Sequence, residues 1–155
     1  MTGDVTVQTD VPALMRDGTT LMSNVYRPAA GGEYPVLLAR TPYGKDLPFN
    51  AAYLDPVRAA RRGYIVAVQD VRGRYASEGK FTPFVREYED GYDAVEWAAR
   101  LPRCSGTVGM AGLSYLGKAQ WHAAVMQPPS LRSMAPGQTW GNNLNGTSKI
   151  GRAHV

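Results

Sequence analysis

The clearest chemical signal in the chain is Gly112-Leu113-Ser114-Tyr115-Leu116-Gly117. A serine among small residues, between an apolar stretch and a helical one, is the pattern of a nucleophile held in a strained strand-to-helix turn. Glycines are needed beside it because bulkier neighbours would collide with adjacent backbone. The strain exposes the hydroxyl, and the turn aims the backbone N–H of Tyr115 at the carbonyl oxygen under attack. That N–H lies at the positive end of the following helix, where developing negative charge is stabilised. The segment carries one residue more before its last glycine than the usual G-x-S-x-G spacing.

The same residues satisfy a second spacing. Gly112 through Gly117-Lys118 fits the G-x-x-x-x-G-K of a phosphate-binding loop, which also joins a strand to a helix. That loop needs Ser or Thr after its lysine to hold magnesium, and position 119 is Ala. Leu113, Tyr115 and Leu116 would also crowd amides that must wrap phosphates. A nucleotide-binding domain is therefore the secondary reading. A third is a binding module in which the fold is kept and Ser114 is idle.

A serine nucleophile needs a histidine base, itself held by a carboxylate. The chain has two histidines. His122 follows Ser114 along one helix at a separation of roughly 12 Å, too far to reach the hydroxyl, and is expected to be a partly buried structural residue. His154 falls in the final segment discussed below. Cys104 is the single cysteine, which excludes an internal disulfide, and with no histidine near it in sequence it reads as structural.

Alternating strands and helices supply the elements that must position Ser114. Val5 to Val11 and Thr20 to Tyr26 read as extended, with Arg16-Asp17-Gly18 as a tight hairpin turn between them. Pro35 opens the apolar run Val36-Leu37-Leu38-Ala39, expected as a strand buried on both faces. Ala51 to Arg62 reads as a helix closed by Gly63, followed by a second buried strand from Tyr64 to Val68 that ends at Gln69-Asp70.

From Glu87 to Leu101, Tyr88, Tyr92, Val95 and Ala99 recur on one helical face. The acids Glu87, Glu89, Asp90 and Asp93 near its start, with Arg100 and Arg103 at its end, complement the helix dipole, and Pro102 stops it. Thr107 to Ala111 is the strand before the serine. The helix after it runs to Met126 and halts at Pro128-Pro129, and Leu131 to Ala135 makes a further strand. This order predicts an α/β fold: a mainly parallel sheet with antiparallel N-terminal strands and helices on both faces.

Hydrophobic residues make up 44% of the 155 residues and charged ones 19%, ordinary values for a chain that folds around a core. The net charge is +4, and the one tight basic cluster, Arg58, Arg61 and Arg62, sits at a helix end where it answers the dipole rather than nucleic acid. No run approaches the roughly twenty apolar residues of a membrane span, and Met1 to Asp10 lacks the blocks of a secretory leader. Neither nucleic acid nor membrane is an expected partner, and a cytoplasmic location is favoured. Lys149-Ile150-Gly151-Arg152-Ala153-His154-Val155 looks like a sequencing adapter translated in frame, so residues 149–155 are expected to be foreign.

Several segments together resemble the cocaine-esterase-like branch of the X-Pro dipeptidyl-peptidase (S15) family of serine hydrolases. They are Arg16-Asp17-Gly18-Thr19-Thr20-Leu21, Tyr26-Arg27-Pro28, Thr41-Pro42-Tyr43-Gly44-Lys45, Gln69-Asp70-Val71-Arg72-Gly73-Arg74, Ala76-Ser77-Glu78-Gly79 and Val108 through Gly117. In that family the serine turn reads G-x-S-Y-x-G, which accounts for the extra residue. The resemblance implies the α/β-hydrolase fold, with Ser114 as nucleophile, the Tyr115 N–H as one oxyanion donor and the Tyr43 phenol as the other.

It also implies acyl transfer from an ester, amide or short peptide substrate without a cofactor or metal. Asp70, Arg72 and Glu78 recur in the family's pattern and read as structural polar contacts below the site. Arg103 stands where an aromatic residue is usual. Residues 1–148 are then the N-terminal part of a catalytic domain, with the triad acid and base expected in later sequence. On that expectation the 155-residue chain alone has no more than residual activity.

Overall fold

The computed structural model describes residues 3–48 and 52–140. Apolar runs without polar alternation form the strands at its centre. β3 (Tyr34–Thr41) and β4 (Ile65–Asp70) pair in parallel, β5 (Cys104–Leu113) lies parallel on the other side of β3, and β6 (Leu131–Gly137) extends the sheet parallel to β5. Every residue of β4 is buried, as a strand covered on both faces must be. β1 (Val5–Leu14) and β2 (Thr20–Pro28) form the expected hairpin, and β2 joins β4 antiparallel. The strand order is β1-β2-β4-β3-β5-β6. The expected strands are all present, and β1 runs three residues past its expected end at Val11.

Register sorts side chains into rows across the sheet. Val25, Ala67, Leu38 and Met110 are successive cross-strand neighbours, and all four are buried in the main apolar cluster. Two residues nearer the carboxyl ends of the parallel strands, the same face carries Ser23, Gln69 and Arg40, fully buried and polar. The period of two places this polar row directly above the apolar one. α2 (Glu87–Ala99) and α3 (Tyr115–Val125) pack against each other over this face, contributing Ala94, Val95, Ala98 and Ala123 to the cluster. α1 (Pro56–Ala60) lies against β4 and β2 instead.

Two expectations need correction. The helix expected over Ala51–Arg62 begins only at Pro56. Proline disfavours the helical conformation in the residue before it, and Asp55 accordingly sits at φ −72°, ψ 108°, its carboxylate accepting from the Arg58 N–H at 2.9 Å.

The inward face of α2 is also rotated from the expected one. Its buried residues are Glu87, Asp90, Gly91, Ala94, Val95 and Ala98, while Tyr88, Tyr92 and Ala99 flank them half-buried. Small residues face inward because α3 comes close: a Cβ on Gly91 would stand 2.8 Å from that of Ala123. Glu87 and Asp90 do more than answer the dipole, because each is buried against an arginine.

Arg72 shows what such a pairing holds together. Its guanidinium grips the Asp90 carboxylate through two bonds of 2.9 and 2.6 Å, and also reaches Thr19 Oγ1 at 2.6 Å and Asp17. It thus ties α2 and the β1–β2 turn to the segment after β4. Arg103 donates to the carbonyls of Gly32, Pro28 and Ala30 and lies over the Tyr34 ring, so it holds the β2–β3 loop. Arg72→Ala leaves Asp90, 2% exposed, without its counter-charge. A loss of roughly 3–5 kcal/mol is expected, read as a lowered midpoint of urea unfolding.

Candidate active site

β5 ends at Leu113 and α3 begins at Tyr115, which leaves Ser114 alone in the turn at φ 53°, ψ −116°. A side chain at positive φ is strained and persists only where its surroundings hold it. The Ser114 N–H donates to the Gly137 carbonyl of β6 at 3.0 Å, and the Ser114 carbonyl accepts from the Lys118 N–H at 2.9 Å. Gly112, at φ 151°, admits no other residue, because a Cβ there would lie 2.3 Å from Leu116 Cβ. At Gly117 a Cβ would meet Thr139 Cγ2 at 2.8 Å. Both glycines are therefore required by contact, and Ser114 is left exposed as the sequence pattern predicts.

Gln120 completes the support and was not anticipated. Fully buried, it donates to the Gly112 and Leu116 carbonyls and accepts from the Ala135 N–H at 3.0 Å, which pins α3 to the ends of β5 and β6. A polar residue six positions past the serine, between Ala119 and Trp121 on the helix, was the available signal.

Tyr115 opens α3, so its backbone N–H is among the first-turn donors that have no partner within the helix. Its side chain turns inward. The ring stacks on Phe84 at a centroid distance of 4.4 Å, and the phenol donates to Glu87 Oε1 at 3.1 Å while accepting from the Phe84 N–H at 3.3 Å. Burial, then the Glu87 charge, raises this phenol well above its ordinary value, so it stays protonated.

Tyr43 follows β3 by two residues. β3 and β5 are parallel neighbours with Leu38 opposite Met110, so Tyr43 and Ser114 leave the same edge of the sheet on adjacent strands. Tyr43 is 38% exposed. Its turn is heavily pinned. The Tyr43 N–H donates to Thr41 Oγ1 at 3.1 Å, Arg74 Nε donates to the Pro42 carbonyl at 2.8 Å, and the Lys45 N–H donates to Asp70 Oδ1 at 2.7 Å. Asp10, Asp46 and Asp70 surround the Lys45 ammonium at 2.8, 3.3 and 3.6 Å. Asp70 and Arg72 thus make structural contacts, as does Glu78, whose carboxylate accepts from the Thr20 N–H at 2.9 Å.

Lys118, the lysine of the phosphate-loop spacing, is 3% exposed, and burial lowers its pKa. A side chain packed away in this manner does not reach phosphates at the mouth of the turn, which argues against the nucleotide-binding reading. His122 is more deeply placed than expected, 2% exposed, stacked on Tyr88 at 4.2 Å and edge-on to Phe84 at 5.9 Å. It lies within the α2–α3 packing and not beside Ser114. His154 and the segment 149–155 lie outside the described residues. Among the described residues no group of three or more His, Cys, Asp or Glu is placed to hold a metal ion, and no helix is long and apolar enough to cross a membrane.

A mostly parallel sheet in this order, entered by an antiparallel hairpin and carrying a strained serine between its fifth strand and the next helix, is the α/β-hydrolase fold. Residues 17–154 match the X-Pro dipeptidyl-peptidase (S15) family, and the chain belongs to that family. The cocaine esterase of Rhodococcus sp. (strain MB1 Bresler) is 43% identical over 136 residues, covering 86% of this chain and 24% of that protein. A CocE/NonD family hydrolase from Staphylococcus aureus superposes with a TM-score of 0.75 at 32% identity, covering 83% of this chain and 26% of that one. An alpha-amino acid ester hydrolase gives a TM-score of 0.77 at 26% identity, covering 90% and 26%. The chain spans about a quarter of the length of these relatives.

The buried imidazole makes the fold sensitive to acid. Burial first, then the charges of Lys118 and Arg40, pushes His122 from 6.5 down to about 4. Within that window the unfolded chain binds a proton that the folded chain refuses, so stability falls as the pH falls, by at most about 1.4 kcal/mol per unit. In the whole protein, Tm is expected to drop less between pH 7 and 4.5 for His122→Phe, which keeps the ring stack, than for the wild type. Equal slopes would remove His122 as the cause.

Proposed function

We propose that the chain carries the nucleophile and the oxyanion hole of a serine hydrolase acting on ester or amide bonds. One observation carries this reading: an exposed serine held at positive φ between a buried strand and a helix N-terminus. Ser114 Oγ attacks the substrate carbonyl as a histidine takes its proton. Negative charge gathers on the carbonyl oxygen, where the Tyr115 N–H and the Tyr43 phenol donate to it. The leaving alcohol or amine departs with that proton, and water then releases the acid from the acyl-enzyme.

The base and its carboxylate partner come from chain outside the described residues, since His122 is buried two helical turns away. The names of the relatives, cocaine esterase and alpha-amino acid ester hydrolase, favour small esters, amides or short peptides as substrates. Membership of the S15 family keeps X-Pro dipeptides within that class.

A fluorophosphonate probe tests the assignment on the whole protein. Covalent labelling is expected in the wild type and absent in Ser114→Ala; labelling that survives the substitution overturns the reading, and an unlabelled wild type points to a binding module. Tyr43→Phe removes one oxyanion donor and leaves the ring in place. It is expected to lower kcat on a p-nitrophenyl ester by about 100- to 1000-fold with little change in KM.

A further inference from the structure

One buried polar chain joins the two sides of the proposed oxyanion hole. Arg40 lies on β3, three residues before Tyr43, with its side chain fully buried. Its Nε donates to Gln69 Oε1 at 2.9 Å, and Gln69 Nε2 in turn donates to Ser23 Oγ at 3.3 Å. Arg40 Nη1 forms an ion pair with Glu87 Oε2 at the first residue of α2. The other oxygen, Glu87 Oε1, accepts from the Tyr115 phenol at 3.1 Å. The strand that leads to Tyr43 is thereby linked, through a single carboxylate, to the residue whose amide is the other donor.

Three physical points give this link a purpose beyond cohesion. Replacing a buried ion pair by packed apolar residues is often neutral or stabilising, so stability alone does not account for one here. What a charged pair adds is direction: Glu87 offers the phenol one acceptor at a set place, and the locked Tyr115 side chain holds the first residue of α3 at the strained turn. Oxyanion stabilisation in turn depends on donors held to within about 0.5 Å. Last, a lone carboxylate beneath the site would oppose charge building on the substrate oxygen, and the Arg40 guanidinium neutralises it.

We propose that the Arg40–Glu87–Tyr115 chain is the positioning element that sets the placement of the Tyr115 amide relative to Tyr43 in the oxyanion hole. This rests on the serine-hydrolase reading above. Arg40, Glu87 and the Tyr115 phenol act through the backbone and touch no substrate. Their loss should therefore weaken binding of the tetrahedral state more than binding of the substrate.

The test uses the whole protein and two variants, Tyr115→Phe, which keeps the ring on Phe84, and Glu87→Gln, which keeps the volume. Each is compared with Val95→Ala, a core truncation in α2 away from the site. For both variants kcat on a p-nitrophenyl ester is expected to fall about tenfold or more while KM stays within twofold. Affinity for an arylboronic acid, which forms a tetrahedral adduct on the serine, should weaken by a matching factor. Val95→Ala should lower Tm with kcat and boronate affinity unchanged.

The proposal is overturned if Tyr115→Phe, or Glu87→Gln where the first does not fold, lowers only Tm, as Val95→Ala does. It is equally overturned if KM rises as steeply as kcat falls. A wild type that neither labels with fluorophosphonate nor turns over ester defeats the underlying reading instead. A labelled, active wild type indifferent to both variants defeats only the positioning role.

Discussion

The strained backbone at Ser114 is the constraint around which the carboxyl edge of the sheet is organised. A residue held at φ 53° relaxes unless each neighbour blocks a route of escape. Here the Gly137 carbonyl of β6 accepts its N–H, the Lys118 N–H in the first turn of α3 donates to its carbonyl, and Leu116 and Thr139 crowd Gly112 and Gly117 on either side of it. Gln120 then fastens that helix to β5 and β6 from below. The turn is thus determined by three elements at once, and its hydroxyl is the part left uncovered.

Beneath that edge the core changes character within a single side-chain row. Val25, Ala67, Leu38 and Met110 make an apolar layer of the kind any such sheet needs. One row further, Ser23, Gln69 and Arg40 replace it with buried hydrogen bonds and a charge paired to Glu87. Apolar side chains pack well but have no fixed angular preference, whereas this row has donors and acceptors with set directions. A second polar group, built from Lys45 and its three carboxylates, holds the turn that bears Tyr43. Both polar groups lie toward the carboxyl ends of the parallel strands, next to the turns that carry Tyr43 and Ser114.

Much of this was legible from the residues alone, for identifiable reasons. The central strands announced themselves as unbroken apolar runs because both of their faces are covered, and the serine turn through glycines that steric contact requires. Tyr43 entered the reading only through family likeness, since a tyrosine in a Pro-Tyr-Gly turn carries no local mark of the role proposed for it.

What the periodicity misjudged was α2. Its large aromatics suggested the inward face, yet the tight crossing with α3 at Gly91 and Ala123 puts small residues there and turns Glu87 and Asp90 inward. Helical spacing identifies a face by size and polarity, and both cues fail where two helices nearly touch and where an acid has a buried arginine waiting. The role of Arg40 depends on Gln69 and Glu87, far away in sequence, which no local pattern encodes. α1 was overextended because an alanine-rich stretch outweighed the stop that Pro56 imposes on the residue before it.

The bond from Ser114 to Gly137, together with the Thr139 contact at Gly117, has a consequence for how the protein is made. A nascent chain leaves the ribosome from its N-terminus, so the serine emerges before the strand that holds its backbone in tension. Until that strand docks, the turn lacks the acceptor for the Ser114 N–H and is held only from within α3. The strained turn is therefore completed only once β6 has followed it out, rather than formed with its own residue.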